Sequence, residues 1–468
     1  MRTENLSPPD CVGALAWYDL VTEDENMAQR PLDLAATESA QQFFGAELRH
    51  RRQLRNLSLN QLGTLSHDSG SLIGKIEKAQ RRPTREFAQR MDEALETGGL
   101  LERMWLKMNS SAPEPERTWQ LVGDQPSGAS WVGCDVFDPV REWLEDSAPT
   151  FARSSNGRHI GSADIDVMWS MCDAFANADH HLGGGYARAT LARFIDEVVG
   201  PAVQGTYDSH AAPQLYAVAA RLCDLSGFMC FDSARQGLGQ QYFRQALRLA
   251  KASGNAALGA HILTDMSMQA HYLDRPLDAV WLGTAAVRIA EKGESPATAA
   301  RCNALLARAH ALAGNIRESN RAMLDSERAL NRARHQNEPD WIRFFTERQL
   351  SAEFMYVAHD SCDVRAVQRL APLVLADSQG MERRQVLVAA TFAASYVTES
   401  DDGRSGMATQ VEQACGVLRE ALKAARTLVS ARGIESINSV RRRLARYADV
   451  TAVKEVEEEF QATVALGG

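Results

Sequence analysis

Between Ser69 and Arg82 the chain holds a set of side chains suited to meeting a polyanion. Ser71, Gly74, Lys75 and Lys78 recur at helical spacing, and Arg81 and Arg82 follow directly. A serine hydroxyl donates or accepts, lysine is a compact cation, and arginine offers a planar fork of donors that matches phosphate. The surrounding charge is segregated in the same sense. Residues 49–90 carry 10 Arg or Lys against 3 Asp or Glu, a net of +7, within a chain whose formal net charge is −9, so the remainder nets −16. Charge separated in this way points to a partner of opposite sign.

Other reactive residue types form weaker patterns. Asp179-His180-His181 could suggest a metal, but adjacent histidines leave a helix on different sides and no third ligand follows at a useful spacing. Gly183-Gly184-Gly185 could cradle a phosphate, but no strand precedes it and no Gly-Lys-Ser/Thr follows, so it reads as a flexible turn between helices. The eight cysteines are scattered without a Cys-x-x-Cys and read as reduced thiols; Cys223 and Cys230 share a helix face. No Gly-x-Ser-x-Gly, His-Glu-x-x-His or paired-carboxylate signature occurs. The expectation is a protein that is not an enzyme, with no cofactor and no metal.

The polyanion-facing set needs elements to hold it. The spacing predicts an amphipathic helix over Ser39 to Arg55, with Phe43, Phe44, Leu48 and Leu54 as its apolar contacts, and a short second helix over Leu59–Leu65. After the connection Ser66-His67-Asp68, Ser69 is placed to cap a third helix, Gly70–Lys78, whose Leu72, Ile73 and Ile76 turn inward. Ser71, Gly74, Lys75 and Lys78 stay outside. Pro83 breaks the chain and Thr84 caps a fourth helix through Leu95. Two short helices across a brief turn, the second polar on its exposed face, make a helix-turn-helix arrangement.

The run LSLNQLG…SGSLIGKIEKAQRRPTREFAQRMDEALETGGLLERMW resembles the Xre/lambda-repressor class of helix-turn-helix domains, in the version common in regulators of high-GC Gram-positive bacteria. The resemblance implies that Gly70 to Lys78 is a recognition helix for double-stranded DNA. It implies that Ser71, Gly74 and Lys75 face base edges, that Lys78, Arg81 and Arg82 approach phosphates, and that Ser69 and Gly70 begin the contact set. The class often has glycine where His67 stands and glutamine where Leu59 stands. Gly70 and Gly74 bring no side chains, so Ser71 and Lys75 would carry most direct base readout.

Residues 1–38 read as a flexible acidic arm, 39–107 as the helix-turn-helix domain, and 108–160 as a Pro-, Ser- and Gly-rich linker with a short helix near DPVREWLED. From 161 to 468 the texture is helical throughout. Small residues repeat at a spacing of 40: Gly227, Ser267 and Ala307; Cys230, Ala270 and His310; Gly239, Ala279 and Ser319; Ala246, Ala286 and Ser326. Looser copies follow at about 344–381 and 382–434, and the charged helix around EVEEEF would suit a cap. This half resembles the tetratricopeptide-like repeats of the same regulators. In such a frame the first helix of each pair lines a concave groove. The groove stripe would hold Arg221, Asp224, Phe228 and Phe231, then His261, Thr264, Met268 and His271, then Arg301, Ala304 and Arg308. Arg221, His261 and Arg301 would stack as a basic column beside apolar neighbours, a site for a peptide or a small acidic effector.

The fold expected is therefore all-α, a helix-turn-helix domain followed by a helical solenoid. The function expected is a sequence-specific transcriptional regulator acting as a homodimer, with antibiotic or developmental control implied at family level. The alternative is an interaction scaffold whose helix-turn-helix docks a protein. No apolar run is long enough for a membrane span, and the N-terminus has no apolar stretch of signal type, so a cytoplasmic location is expected.

Overall fold

The computed structural model describes residues 40–97, 99–109, Val140, Trp143, Phe151, 159–397 and 407–467. The arm at 1–38, nearly all of the linker at 108–160 and most of the polar insertion near 400 lie outside the described residues. Among the described residues the fold is all-α. Its one sheet is a two-residue parallel pairing of β1 (His159–Ile160) with β2 (Thr206–Tyr207).

Five helices make the N-terminal part: α1 (Ala40–Leu54), α2 (Leu59–Ser66), α3 (Gly70–Glu77), α4 (Arg85–Leu95) and α5 (Leu100–Asn109). The caps read from the sequence are formed. Ser69 Oγ accepts from Leu72 N at 3.1 Å and Thr84 Oγ1 from Phe87 N at 3.1 Å. Ser58 and Gln61 add a reciprocal capping box at the start of α2. Phe44, Leu48, Leu62, Ile73, Ile76, Phe87, Met91 and Leu101 are buried together. Each such side chain stabilises the fold by about 1.5–3 kcal/mol when fully removed from water. Leu72, expected inside, is only half-buried.

His67 ends α2 in the left-handed region, φ 59° and ψ 28°, with its N–H on Gly63 O. That conformation costs an L-residue with a Cβ about 1–2 kcal/mol, part of which glycine gives back through the entropy of the unfolded chain. His67→Gly should therefore raise the stability of this domain by roughly 0.5–1 kcal/mol. The higher melting temperature would be read by circular dichroism; a lower one would show that the exposed imidazole makes a stabilising contact.

The C-terminal part is an array of antiparallel helix pairs: α6 (Ser162–Leu182) with α7 (Gly184–Phe194), then, after the short α8 (Gly200–Val203), α9 (Ala212–Asp232) with α10 (Gln236–Ala252), α11 (Ala256–Tyr272) with α12 (Pro276–Ala290), α13 (Pro296–Leu312) with α14 (Ile316–Arg332), α15 (Glu347–Asp360) with α16 (Val364–Ala376), and α17 (Glu382–Tyr396) with α18 (Met407–Ala425). α19 (Ala431–Leu444) and α20 (Thr451–Gly467) complete it, and α20 packs on α18 through Val453, Val456 and Phe460. The 40-residue period corresponds to one recurring helix crossing. A Cβ on Gly239 would lie 3.0 Å from Gly227 O. One repeat on, Ser267 Oγ donates to Ala279 O at 2.8 Å; one further, Ser319 Oγ donates to Ala307 O at 2.8 Å. Small residues recur there because the two helices of each pair approach closely, and the serines satisfy themselves on the opposite backbone.

The glycine run is not a loose turn. Gly183, at φ 87°, and Gly185 lie against Val429, near the other end of the array. A Cβ on Gly183 would come 2.5 Å from Val429 O, so the run is there for close backbone approach.

Candidate nucleic-acid interface and the inward face of the array

α3 is fixed from three sides. Glu77 at its end, 2% exposed, accepts from Arg52 Nε and Nη2 at 2.6 and 2.9 Å, with Arg49 at 3.5 Å. Asp68 in the turn receives both Nε and Nη2 of Arg90 from α4, at 3.0 and 2.9 Å. Past α3, Ala79 turns left-handed at φ 55°, Gln41 Nε2 donates to its carbonyl at 2.9 Å, and Trp105 Nε1 donates to Pro83 O at 2.9 Å. Two side-chain bonds thereby tie the segment that follows the helix to α1 and α5.

This scaffold sorts the basic island into two groups. Arg49, Arg51, Arg52, Arg55, Arg85 and Arg90 each pair with a carboxylate of the domain. Lys75, Lys78, Arg81 and Arg82 are exposed and form no ion pair among the described residues. The four unpaired cations are those chosen from the sequence, and they sit on α3 and the turn after it. Ser69 and Ser71 are exposed beside them, and Gly70 and Gly74 are half-buried. A Cβ on Gly74 would meet only Leu59 Cδ1, at 3.3 Å.

A family model described as a helix-turn-helix domain matches residues 44–104. The chain carries a helix-turn-helix domain. The match spans α1 to α5 and leaves the array outside it. No curated protein and no solved structure matches the chain.

On the inward face of the array the 40-residue column is brought together, but it is not an open basic clamp. Arg221 donates to Asp224 at 2.5 Å. Arg301, 6% exposed, donates to Asp265 and to His261 Nδ1, the latter at 3.2 Å. Trp341 stacks edge-on against His261 at 4.8 Å between centroids, and Phe344 lies 5.8 Å from the Arg301 guanidinium. Both come from the 14-residue connection 333–346, whereas the turns at 233–235, 253–255, 273–275 and 313–315 have three. Arg308 and His271 share Asp360, at 2.9 and 3.0 Å, and Arg308 also covers the Tyr356 ring. Phe228 and Phe231 are covered by Arg383 and Arg432, and Phe231 is fully buried. Met268 is half-buried. The guanidinium groups of the expected column are therefore paired inside the chain, because desolvated cations need carboxylates close by.

Asp224, His261 and Asp265 are the one set among the described residues that could hold a metal ion by proximity. Their chemistry does not fit one. Arg301 donates to His261 Nδ1, so the ring proton of the neutral imidazole is on Nε2, which faces Asp224 and Asp265 at 3.6 and 3.5 Å. A metal would need that lone pair, and the two arginines already balance the two carboxylates. An open recess of about 560 Å³ between α12, α13 and α14, lined by Glu291, Glu294, Asp325, Arg328 and Arg332 among others, includes none of the residues chosen from the sequence.

The cluster has a pH signature. Burial, and then the nearby Asp265, push the Asp224 carboxyl up to about 7 against the pull of Arg221 and Arg301. From an unfolded value of about 3.9 this is a proton taken up on folding, so the stability it contributes is full below about 4 and lost as pH rises through 7. Burial, then Arg301 and Arg221, hold His261 well below its ordinary 6.5. Its contribution is present above 6.5 and lost as pH falls. Between about 4 and 6.5 the two slopes oppose each other. Asp224→Asn removes one of them, so stability should then rise with pH up to about 6.5, read by urea titrations. A variant with the same pH profile as the parent would mean that Asp224 titrates near its unfolded value.

Proposed function

We propose that the protein is a sequence-specific DNA-binding transcriptional regulator of the Xre type, with α3 as the helix that enters the major groove. The observation that carries this reading is the sorting of the basic island. Six cations are spent on the domain's own carboxylates, and the four left exposed cluster on α3 and the turn after it. A solvated structural face would leave unpaired charge scattered. Lys75 and Ser71 read bases, while Lys78, Arg81 and Arg82 hold phosphates. A mobility-shift titration on DNA upstream of the chain's own coding region tests this, against unrelated DNA of equal length. Equal affinity for both would remove sequence specificity, and no binding to either would leave a protein-docking domain.

The working unit in this reading is a homodimer, because one such domain grips a half-site; sedimentation of the full chain tests that. The array is a tetratricopeptide-like module that senses a peptide or small acidic effector and joins the two copies. Because its inward cations are already paired, an acidic effector binds there only by displacing Asp224, Asp265 or Asp360. The protein acts in the cytoplasm, without enzymatic activity, in antibiotic or developmental control. No helix among the described residues is long and apolar enough to cross a membrane.

A further inference from the structure

The two ends of the helical array meet. Asp232, at the end of α9 and fully buried, accepts from Gly184 N at 3.0 Å, Ser430 Oγ at 2.9 Å, Arg432 Nε at 3.2 Å and Arg383 Nη1 at 3.4 Å. Asp179 of α6 receives both Nη atoms of the same Arg383, at 3.0 and 2.8 Å. Two backbone bonds run beside these groups: Val429 N to Leu182 O at 2.7 Å and Gly185 N to Val429 O at 3.0 Å. Apart from the Gly184 bond, which holds the Asp232 carboxylate on its own side, these contacts join residues 179–232 to residues 383–432.

The seam differs in kind from the interfaces within the array. Helix pairs such as α9 with α10 and α11 with α12 bury leucine, alanine and aromatic side chains. The seam is two carboxylates, two guanidinium groups, a hydroxyl and a short backbone ladder, edged by Val429 at 48% exposure. The apolar clusters on its two sides are separate, and regions joined by few buried apolar contacts are those that open without global unfolding. What the seam covers is also particular. Arg383 lies 4.9 Å over the Phe228 ring and Arg432 4.7 Å over Phe231, two positions of the inward stripe on α9.

We propose that this seam is a clasp, which opens while the helix pairs stay folded and so uncovers Phe228, Phe231, Asp179 and Asp232. The closed array is then one of two states of the full chain. Any ligand of the inward stripe reaches Phe228 and Phe231 only in the other, and shifts the balance by its preference for it. The clasp stands or falls independently of DNA binding.

Amide hydrogen exchange on the full chain tests it. Gly185 and Val429 donate across the seam, whereas the amides of α11 report the folded array. The seam amides should exchange at least about tenfold faster than those of α11, as local opening requires. Arg383→Ala should accelerate the seam further and leave α11 unchanged. A second variant keeps both arginines. A Cβ on Gly185 lies 3.4 Å from Val429 Cβ, close to the separation a disulfide takes, so Gly185→Cys with Val429→Cys should crosslink on oxidation. The oxidised form should slow the seam amides to the rate of α11, and reduction should restore them. Seam amides that exchange at the α11 rate in the parent, and that the crosslink does not slow, would overturn the clasp and make the seam a rigid part of one cooperative array.

Discussion

Replacing Lys78, Arg81 and Arg82 together by alanine is expected to lower affinity for all DNA sequences alike and to flatten the salt dependence by nearly three units. Each phosphate contact contributes about −0.9 to the slope of log affinity against log salt on duplex DNA, so three contribute about −2.7. Between 50 and 200 mM salt the parent should lose roughly 40-fold more affinity than the triple variant. The variant should fold as the parent does, because none of the three side chains pairs with a carboxylate among the described residues. Lys75→Ala should behave differently. It should remove about 1–3 kcal/mol of discrimination at one base position and change the salt slope little. Fluorescence anisotropy on specific and random duplexes, over a salt series, separates the two patterns. A triple variant with the parent's salt slope would place the DNA contact elsewhere.

The helix-turn-helix domain was legible because its signals are local. Ser69 and Thr84 cap within three residues of themselves, and the apolar period of α3 fixes which face Lys75 and Lys78 present. The repeat was legible for a related reason: a close helix crossing demands small residues, and three successive crossings print Gly227, Ser267 and Ala307 at a constant interval. What escaped was pairing over long separation. The Asp232 to Arg432 contact spans 200 residues, and nothing local to either residue announces the other. That the inward cations are already paired escaped for the same reason. Asp224 stood one turn from Arg221 in the sequence, but its burial, and the approach of Asp265 to Arg301, are set by the stacking of α9, α11 and α13. Trp341 and Phe344 were missed because no period marks a connection that lies over its own array. A charge balance over the stripe would have been the available warning, since cations lining a packed face must find acids within it.

Glu77→Ala is expected to abolish DNA binding by a route unlike that of Lys75→Ala, although the two residues are neighbours on α3. Glu77 points inward, where its carboxylate takes both Nε and Nη2 of Arg52 and lies 3.5 Å from Arg49. Arg52 is itself largely buried and spends Nη1 on Leu57 O, at 2.8 Å, in the turn between α1 and α2. Removing the carboxylate leaves a guanidinium inside the domain with no counter-charge, which costs about 3–5 kcal/mol. At roughly 0.05–0.15 kcal/mol per residue, a domain of some sixty residues has about 3–9 kcal/mol in all, so most of its stability is at stake. The variant should melt well below the parent and lose specific and nonspecific binding together. Arg52→Met combined with Glu77→Leu removes both charges and fills the space, so much of the stability should return. Thermal melts of the three proteins, followed by circular dichroism alongside the binding isotherms, decide the point. Glu77→Ala with the parent's melting temperature but no DNA binding would instead make Glu77 part of the contact surface, and the inward orientation of this end of α3 would have to be abandoned.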